Sequence, residues 1–424
     1  MSNEWTPFWH GRFLPSLTGG RFLFHWSTPG SDRLSTTSTV RNKYNFLLVS
    51  FIFWFSHFIY IPILSPYIDS LGGEYAYTGI VMSSYGLMQF LFRLPLGIFS
   101  DMVKLRKPFI IFGMSISAFS CLTFALTDSL GWVLLSRSLA GLAAATWVAF
   151  TVLYSSYFAD WDIHRAMSSI SFAVVLAQFL GLSISGYIAG EWGWHAPFWL
   201  GGIIGILGIV LSLFIFEPKE GVQRDPIKVK DLISVIREPQ LLKTSLLSIL
   251  AHSIIFSTMF GFIPAYALKI GLNARDISIV VFSFMLPHAV ATLFSGSRLI
   301  PLFGVWKTLR IAFGVTAIFT LLTPSIDTKG WLYVAQAFNG FSLGLLFPIF
   351  LGLAIEAIPV EKRATAMGVY QAFYAIGMFA GPFFTGILNS NMGIASGFYF
   401  TGILGVVATI LVFIWNKSKS DIYD

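Results

Sequence analysis

The chain has 424 residues, 55% of them hydrophobic and only 11% charged, with a mean hydropathy of +0.74. Soluble chains carry about 25% charged residues, so this composition excludes a soluble globular fold. The formal charge of +7 points to membrane topology and not to nucleic acid, because short loops rich in Lys and Arg stay on the cytoplasmic side of a bilayer. The single cysteine, Cys121, lies in an apolar run and rules out an intrachain disulfide or a cysteine-based metal cluster.

Residues 1–43 are polar and irregular, with Gly19-Gly20, Pro29-Gly30 and Ser35 to Ser38, and lack the apolar core of a signal peptide. They read as a disordered cytoplasmic tail, in which Trp5, Trp9 and Trp26 among Arg12, Arg21 and Arg33 are the one feature suited to a membrane surface. Apolar stretches near the roughly 20 residues needed to cross a bilayer then follow at 45–67, 78–100, 108–127, 132–157, 166–189, 197–217, 241–266, 277–299, 307–325, 331–357, 364–389 and 394–415. Residues 218–240 form the one long charged linker, with Lys219, Arg224, Lys228, Lys230 and Arg237. The expected organisation is a tail (1–43), a six-helix bundle (44–217), a cytoplasmic linker (218–240), a second six-helix bundle (241–416) and a cytoplasmic tail (417–424). With both termini inside, 22 of the 27 Lys and Arg fall on cytoplasmic segments; Arg93 and Arg137 lie within spans, and Lys269, Arg275 and Lys329 fall outside.

The second and third spans form a hairpin. The helix of Phe90, Leu91, Phe92, Leu94, Leu96, Ile98 and Phe99 ends at Gly97, Ser100 and Asp101; Lys104, Arg106 and Lys107 follow, and Pro108 opens the next helix. Gly97-x-x-x-Asp101 with its trailing bases resembles the loop between helices 2 and 3 of the major facilitator superfamily, roughly G-x-x-x-D-(R/K)-x-G-(R/K)-(R/K). Met102, Lys104 and Leu105 depart from that form, Lys104 standing where the family has its second glycine.

The two halves repeat weakly. Gly181 and Gly186 recur as Gly381 and Gly386, Arg165-Ala166 as Arg363-Ala364, Pro66 as Pro264, and the run Arg137 to Gly141 as Gln336 to Gly340, at separations of 198 to 200. Parallel six-span repeats are what this superfamily shows. The resemblance implies an all-α membrane protein with twelve transmembrane helices in two pseudo-symmetric six-helix bundles.

A charge inside a bilayer costs roughly 2.5–3.5 kcal/mol on insertion scales, so intramembrane polar residues mark candidate sites. The resemblance implies a conformational latch of Gly97, Asp101, Lys104, Arg106 and Lys107, with Asp101 pairing with nearby bases and the N-terminus of helix 11; the alternative is a solvated loop acid. Arg93 either joins that latch or snorkels to the surface. Arg137, four residues before Gly141, resembles the helix 4 motif of proton-coupled drug antiporters, though it could also reach the interface from the start of its span. His57 and His252, mid-span in the paired first and seventh spans, which the resemblance places at a central cavity, are the proton-coupling candidates because histidine titrates near neutrality; Asp69 is the alternative, and packing histidines are the plain reading. Gln89, Trp147, Gln336, Asn339 and Gln371 are candidate cavity lining. Such a lining, without fixed charge pairs, suits a moderately apolar or zwitterionic solute and argues against a strongly anionic one. Gly141, Gly181, Gly186, Gly377, Gly381, Pro382 and Gly386 are the helix-packing residues, small enough for close approach. The proline-glycine motif of antiporters is incomplete in span 5 and fuller in span 11, at Gly381-Pro382 and Gly386.

No phosphate-binding loop, metal-ligand spacing or enzymatic constellation is visible, so no cofactor, metal or nucleic acid is expected. The reading is a multi-pass transporter of the plasma membrane, acting as a monomer and exporting a small drug-like compound or metabolite in exchange for protons. A proton-coupled importer of a sugar or organic acid, and a transporter-like sensor or lipid flippase, are the alternatives.

Overall fold

The computed structural model describes residues 29–158, 163–217, 229–295, 299–359 and 362–420. The chain divides into residues 1–41 and 42–424, and the second unit carries the fold. The tail tryptophans and the linker bases Lys219, Arg224 and Lys228 lie outside the described residues.

Among the described residues, ten helices are long and apolar enough to cross a membrane: α1 (Val40–Ser70), α3 (Lys107–Leu126), α4 (Leu130–Ser155), α5 (Ser169–Trp192), α7 (Pro239–Lys269), α8 (Ala274–Phe294), α9 (Val305–Ser325), α10 (Lys329–Glu356), α11 (Thr365–Met392) and α12 (Ala395–Asn416). Two more, α2 (Tyr75–Val103) and α6 (Ala196–Ser212), bring the number to twelve. Helix α2 spans 29 residues but is less apolar than the rest, because it carries Gln89, Arg93 and Asp101. Backbone helix before α1 begins at Pro29, earlier than the sequence pattern placed it; proline is pre-organised for a first helical turn. No strand occurs among the described residues. In hydrocarbon every backbone polar group must be satisfied internally, and helices do this within one segment.

Burial runs opposite to that of a soluble bundle. Helix α6 buries Gly201, Gly202, Gly205 and Gly208 and exposes Ile203, Ile206, Leu207 and Val210. Helix α12 repeats this 200 residues on, burying Gly402, Gly405 and Ala408 and exposing Ile403, Val406, Val407 and Ile410. Small residues face neighbouring helices because van der Waals packing, not the hydrophobic effect, joins helices in lipid.

The internal repeat is written in the contacts. A Cβ added at Gly141 would meet the Tyr85 carbonyl of α2 at 2.5 Å, and one at Gly340 the Phe284 carbonyl of α8 at 2.0 Å. Gly205 packs on Ala118 as Gly405 does on Ala317, and Gly202 on Leu122 as Gly402 does on Leu321. The Tyr67 hydroxyl donates to the Thr127 carbonyl at 2.7 Å, and the Tyr266 hydroxyl to the Ile326 carbonyl at 2.8 Å. Each pair is separated by 199 or 200 residues. Matching Tyr67 with Tyr266 sets Pro66 opposite Ala265, so the sequence pairing of Pro66 with Pro264 is off by one. Helix α1 breaks at Ile59-Tyr60 and resumes with Pro62. Helix α7 breaks in a π-turn over Thr258–Phe262 and resumes with Pro264. That π-turn shifts the local register, and Pro264 restarts its helix as Pro62 does.

Positive backbone φ angles obey the same symmetry. They fall at Gly72 and Gly271, at Gly193 and Gly393, and at Lys104 and Gly304. Only Lys104 among them carries a side chain, at φ 58°. The superfamily glycine it replaces thus has a steric reason, since the left-handed region is costly for residues with a Cβ.

The halves meet along two seams, α2 with α11 and α5 with α8. The face bearing the α2–α3 connection is the hairpin face. On the opposite face the α2–α11 backbones touch: a Cβ at Gly79 would lie 2.6 Å from the Pro382 carbonyl oxygen and 2.8 Å from Gly386 Cα. On α5, a Cβ at Gly186 would lie 2.4 Å from the Ala274 carbonyl oxygen of α8. Halfway along α2, one at Gly86 would still meet the Met378 carbonyl carbon at 2.5 Å. At Gly97, nearer the hairpin face, the nearest atom is Val148 Cγ1 of the same half at 3.7 Å, and from α11 Gly368 reaches only Leu94 Cδ2 at 3.7 Å. The α2 and α11 backbones therefore touch on the face opposite the hairpin and meet through side chains toward the hairpin face.

Candidate functional site

Arg93 sits where the α2–α11 seam opens. It is 2% exposed. Its Nη1 donates to Gln371 Oε1 at 2.7 Å and to Tyr374 Oη at 2.8 Å, both on α11, and its Nη2 donates to Gln89 Oε1 one turn back. It neither snorkels nor joins the Asp101 network, the two roles its sequence position offered. Gln89 also donates from Nε2 to Met378 Sδ at 3.7 Å. Behind Tyr374 the His252 ring of α7 stacks at 4.4 Å and 5°. His252 Nδ1 is 2.8 Å from the Ser248 carbonyl one turn back, and Ser248 Oγ is 2.8 Å from Tyr370 Oη. With Nδ1–H donating to that carbonyl, Nε2 holds a free lone pair.

Arg137 is the second buried base, 1% exposed. Its guanidinium lies 4.1 Å from the Tyr85 ring centroid and donates from Nη1 to Tyr60 Oη at 3.2 Å. It stays inside the bundle instead of reaching the interface. Next to it His57 straps α1 to α4. Its Nδ1 is 2.7 Å from the Phe53 carbonyl and its Nε2 is 3.1 Å from the Ala140 carbonyl, with Ser117 Oγ 3.1 Å from Nδ1. A neutral imidazole carries one N–H and serves one carbonyl; an imidazolium serves both.

The wall beside these groups is aromatic. Trp147 of α4 meets Trp54 of α1 edge-on at 5.1 Å, and Trp54 stacks on Phe58 at 5.5 Å. Phe58 meets Phe260 of α7 at 6.2 Å, and Phe260 leads through Phe256 to His252 at 5.2 and 6.3 Å. Several buried polar atoms in and around this centre have no partner among the described residues: Arg93 Nε, Arg137 Nε, Trp54 Nε1, Gln336 Nε2 and Asn339 Oδ1.

At the hairpin face Asp101 is buried and paired with Arg106, which is itself fully buried and also bonds Ser100 Oγ. Glu217, beyond the end of α6, accepts from the backbone N–H of Arg106 at 2.5 Å and of Lys107 at 3.2 Å, capping the start of α3; a carboxylate there is favoured by the helix dipole. Lys107 Nζ donates to the Leu213 carbonyl at 2.7 Å, at the other end of this clasp. The sequence reading missed Glu217, because its role depends on α6 ending beside α3. All these contacts lie within the first half; none reaches α11 in this conformation.

The remaining candidates fall in two groups. Gly181 packs on α1, where an added Cβ would lie 3.2 Å from Ile59 N, and Gly377 and Gly381 pack on α7, where added Cβ atoms would lie 2.2 Å from the Ile249 carbonyl oxygen and 2.6 Å from Ser253 Cα. These glycines seal seams within each half, whereas Gly186, Pro382 and Gly386 lie on the seams between halves. Asp69 is exposed at the end of α1, on the face opposite the hairpin, apart from the polar centre. No group of three or more His, Cys, Asp or Glu suited to a metal occurs among the described residues.

The sequence profile of the Major Facilitator Superfamily matches residues 46–275 and 246–421. This chain belongs to that family. The inner membrane transport protein YajR of Escherichia coli (strain K12) is 26% identical over 345 residues, covering 78% of this chain and 74% of YajR. Multidrug resistance protein 2 of Bacillus subtilis (strain 168) is 22% identical over 375 residues, covering 85% of this chain and 92% of the relative. The crystal structure of the nucleoside transporter NupG matches with a TM-score of 0.74 at 13% identity, over 88% of this chain and 99% of NupG; that likeness concerns the fold. Family membership makes the protein a membrane transporter of small molecules.

Proposed function

We propose that the protein is a secondary active exporter that moves a small drug-like compound or metabolite across the plasma membrane by alternating access, coupled to protons. The hairpin face is cytoplasmic, both termini lie on that side, and one chain is the working unit. One observation carries the reading: the halves touch backbone to backbone on one face and only through side chains toward the other, with a buried polar centre where the contact changes. Rocking about that point would expose the centre to each side in turn. The excess of Lys and Arg on the hairpin face supports its cytoplasmic placement. The similarity to Multidrug resistance protein 2 supports export.

Two histidines support proton coupling. His57 offers two ring nitrogens to two carbonyls, so a second proton completes the strap between α1 and α4. His252 presents Nε2 beside the Arg93 cluster. The test is solute release from loaded cells and uptake by inverted vesicles, each with and without a protonophore. Efflux that collapses with the proton gradient supports the reading. Accumulation by intact cells, or flux indifferent to the protonophore, overturns its direction or its coupling.

A further inference from the structure

We propose that Arg93 is the binding site for a single anionic group of the transported solute, a carboxylate or its equivalent, with the aromatic wall around Trp54 and Trp147 receiving an apolar body. The inference rests on the transporter reading and adds a substrate class to it: amphipathic organic anions.

The argument starts from a comparison inside the protein. Among the described residues, three arginines of the first half are buried and meet different fates, Arg137 lying within 4.1 Å of the Tyr85 ring centroid inside its own half. Arg106 has the Asp101 carboxylate against it. Arg93, 2% exposed, has no carboxylate within ion-pair distance among the described residues. Its neighbours are neutral oxygens on Gln89, Gln371 and Tyr374, and its Nε has no acceptor. A buried charge is ordinarily paired, and buried groups left without a partner mark strain or a site for something else. Five donors around a planar cation, three of them met by neutral side chains, fit a carboxylate better than any neutral group, since charge-assisted bonds are shorter and stronger.

Position points the same way. Arg93 lies at the vertex where α2 leaves α11, so an anion held there contacts both halves. Gln371 and Tyr374 belong to the second half, and they would exchange part of their hold on Arg93 for the solute as the halves move. Ring contacts run from Tyr374 through His252, Phe256, Phe260 and Phe58 to Trp54 without a break. The orphan Trp54 Nε1 adds one donor in that wall. An apolar body on the rings and an acid on Arg93 use both features at once. This reverses the expectation, drawn from the apparent lack of fixed charge in the cavity, that anions are disfavoured: the charge of Arg93 is buried between α2 and α11, where the sequence offered it only a latch or a snorkelling role.

The experiment measures binding to the purified full chain in nanodiscs by tryptophan quenching, using three probes of one shape and different charge: 2-naphthoate, 2-naphthamide and 2-naphthylmethylamine. The wild type is expected to bind the naphthoate roughly tenfold or more tighter than the amide, and the amine weakest, the range a charge-assisted contact supplies. Arg93→Gln is expected to erase the preference while still binding the amide, and Arg93→Lys to keep part of it. Equal binding of all three probes by the wild type overturns the assignment without recourse to a variant that could misfold. Naphthoate binding unchanged in a folded Arg93→Gln protein overturns it as well. Proton-driven flux of neutral or cationic compounds alone leaves the transporter reading standing and sinks the anion site. Charge-selective binding that Arg93→Gln abolishes, with no flux of any probe in proteoliposomes, upholds the site and sinks the transporter reading.

Discussion

Gly79 offers the sharpest test of the two-seam geometry. Replacing its hydrogen with a methyl group puts carbon 2.6 Å from the Pro382 carbonyl oxygen and 2.8 Å from Gly386 Cα, where ordinary contact begins at 3.4 Å. Both obstacles are backbone, so α2 and α11 must separate by the better part of an ångström. Overpacking of this kind costs typically about 1–3 kcal/mol. The strain acts only in the conformation with this seam closed. At 1.4 kcal/mol per factor of ten, Gly79→Ala shifts the population away from that conformation by roughly five- to 150-fold. Gly97→Ala does the converse. Its added carbon meets nothing closer than Val148 Cγ1 at 3.7 Å here, and it obstructs the state in which the hairpin face closes. Gly314→Ala is the control, with nothing within 4 Å. The assay is labelling by an impermeant maleimide of a cysteine at Ser278, whose hydroxyl bonds across the α5–α8 seam to the Tyr187 N–H at 2.8 Å; native Cys121 is buried. Labelling is expected to accelerate with Gly79→Ala, slow with Gly97→Ala and stay level with Gly314→Ala. Equal rates in all three would refute the assignment of these glycines to opposite closures.

Three further outcomes follow from the same contacts. Asp101→Asn removes the anion from a pair with side chains 3% and 0% exposed and is expected to lower stability by about 3–5 kcal/mol, read as earlier thermal unfolding in detergent; an unchanged midpoint would mean that Arg106 does not depend on it. Lys104→Gly relieves a left-handed residue and is expected to leave stability level or raise it by up to about 1 kcal/mol, whereas Lys104→Val lowers it, and matched midpoints for the two would remove the steric account of this loop. His252→Ala loses a stacked pair worth about 0.5–1.5 kcal/mol yet is expected to abolish the pH dependence of flux, with His57→Ala doing the same at a greater cost in stability; retained pH dependence in both would discard the histidines as proton sites.

The sequence alone determined the twelve helices, their pairing into two halves and the family, because lipid punishes any other backbone arrangement and the spacing of small residues shows which faces must approach. It also singled out Asp101, Arg93, Arg137, His57 and His252, since a polar residue inside a span stands out against its surroundings. It did not show what each of them touches. Arg93 and Arg106 are both bases on or beside α2, yet one is neutralised by a neighbour five residues away and the other reaches across to α11, and that difference depends on how the halves tilt. Glu217 read as the last residue of the first bundle, and its capping role appeared only because α6 ends next to α3. Lys104 read as a departure from a pattern, and only its backbone angle gave the pattern a reason. The tertiary structure decided which face is closed, where the α2–α11 backbones diverge and which buried charges face neutral groups in place of a carboxylate, because those depend on contacts between residues about 300 positions apart.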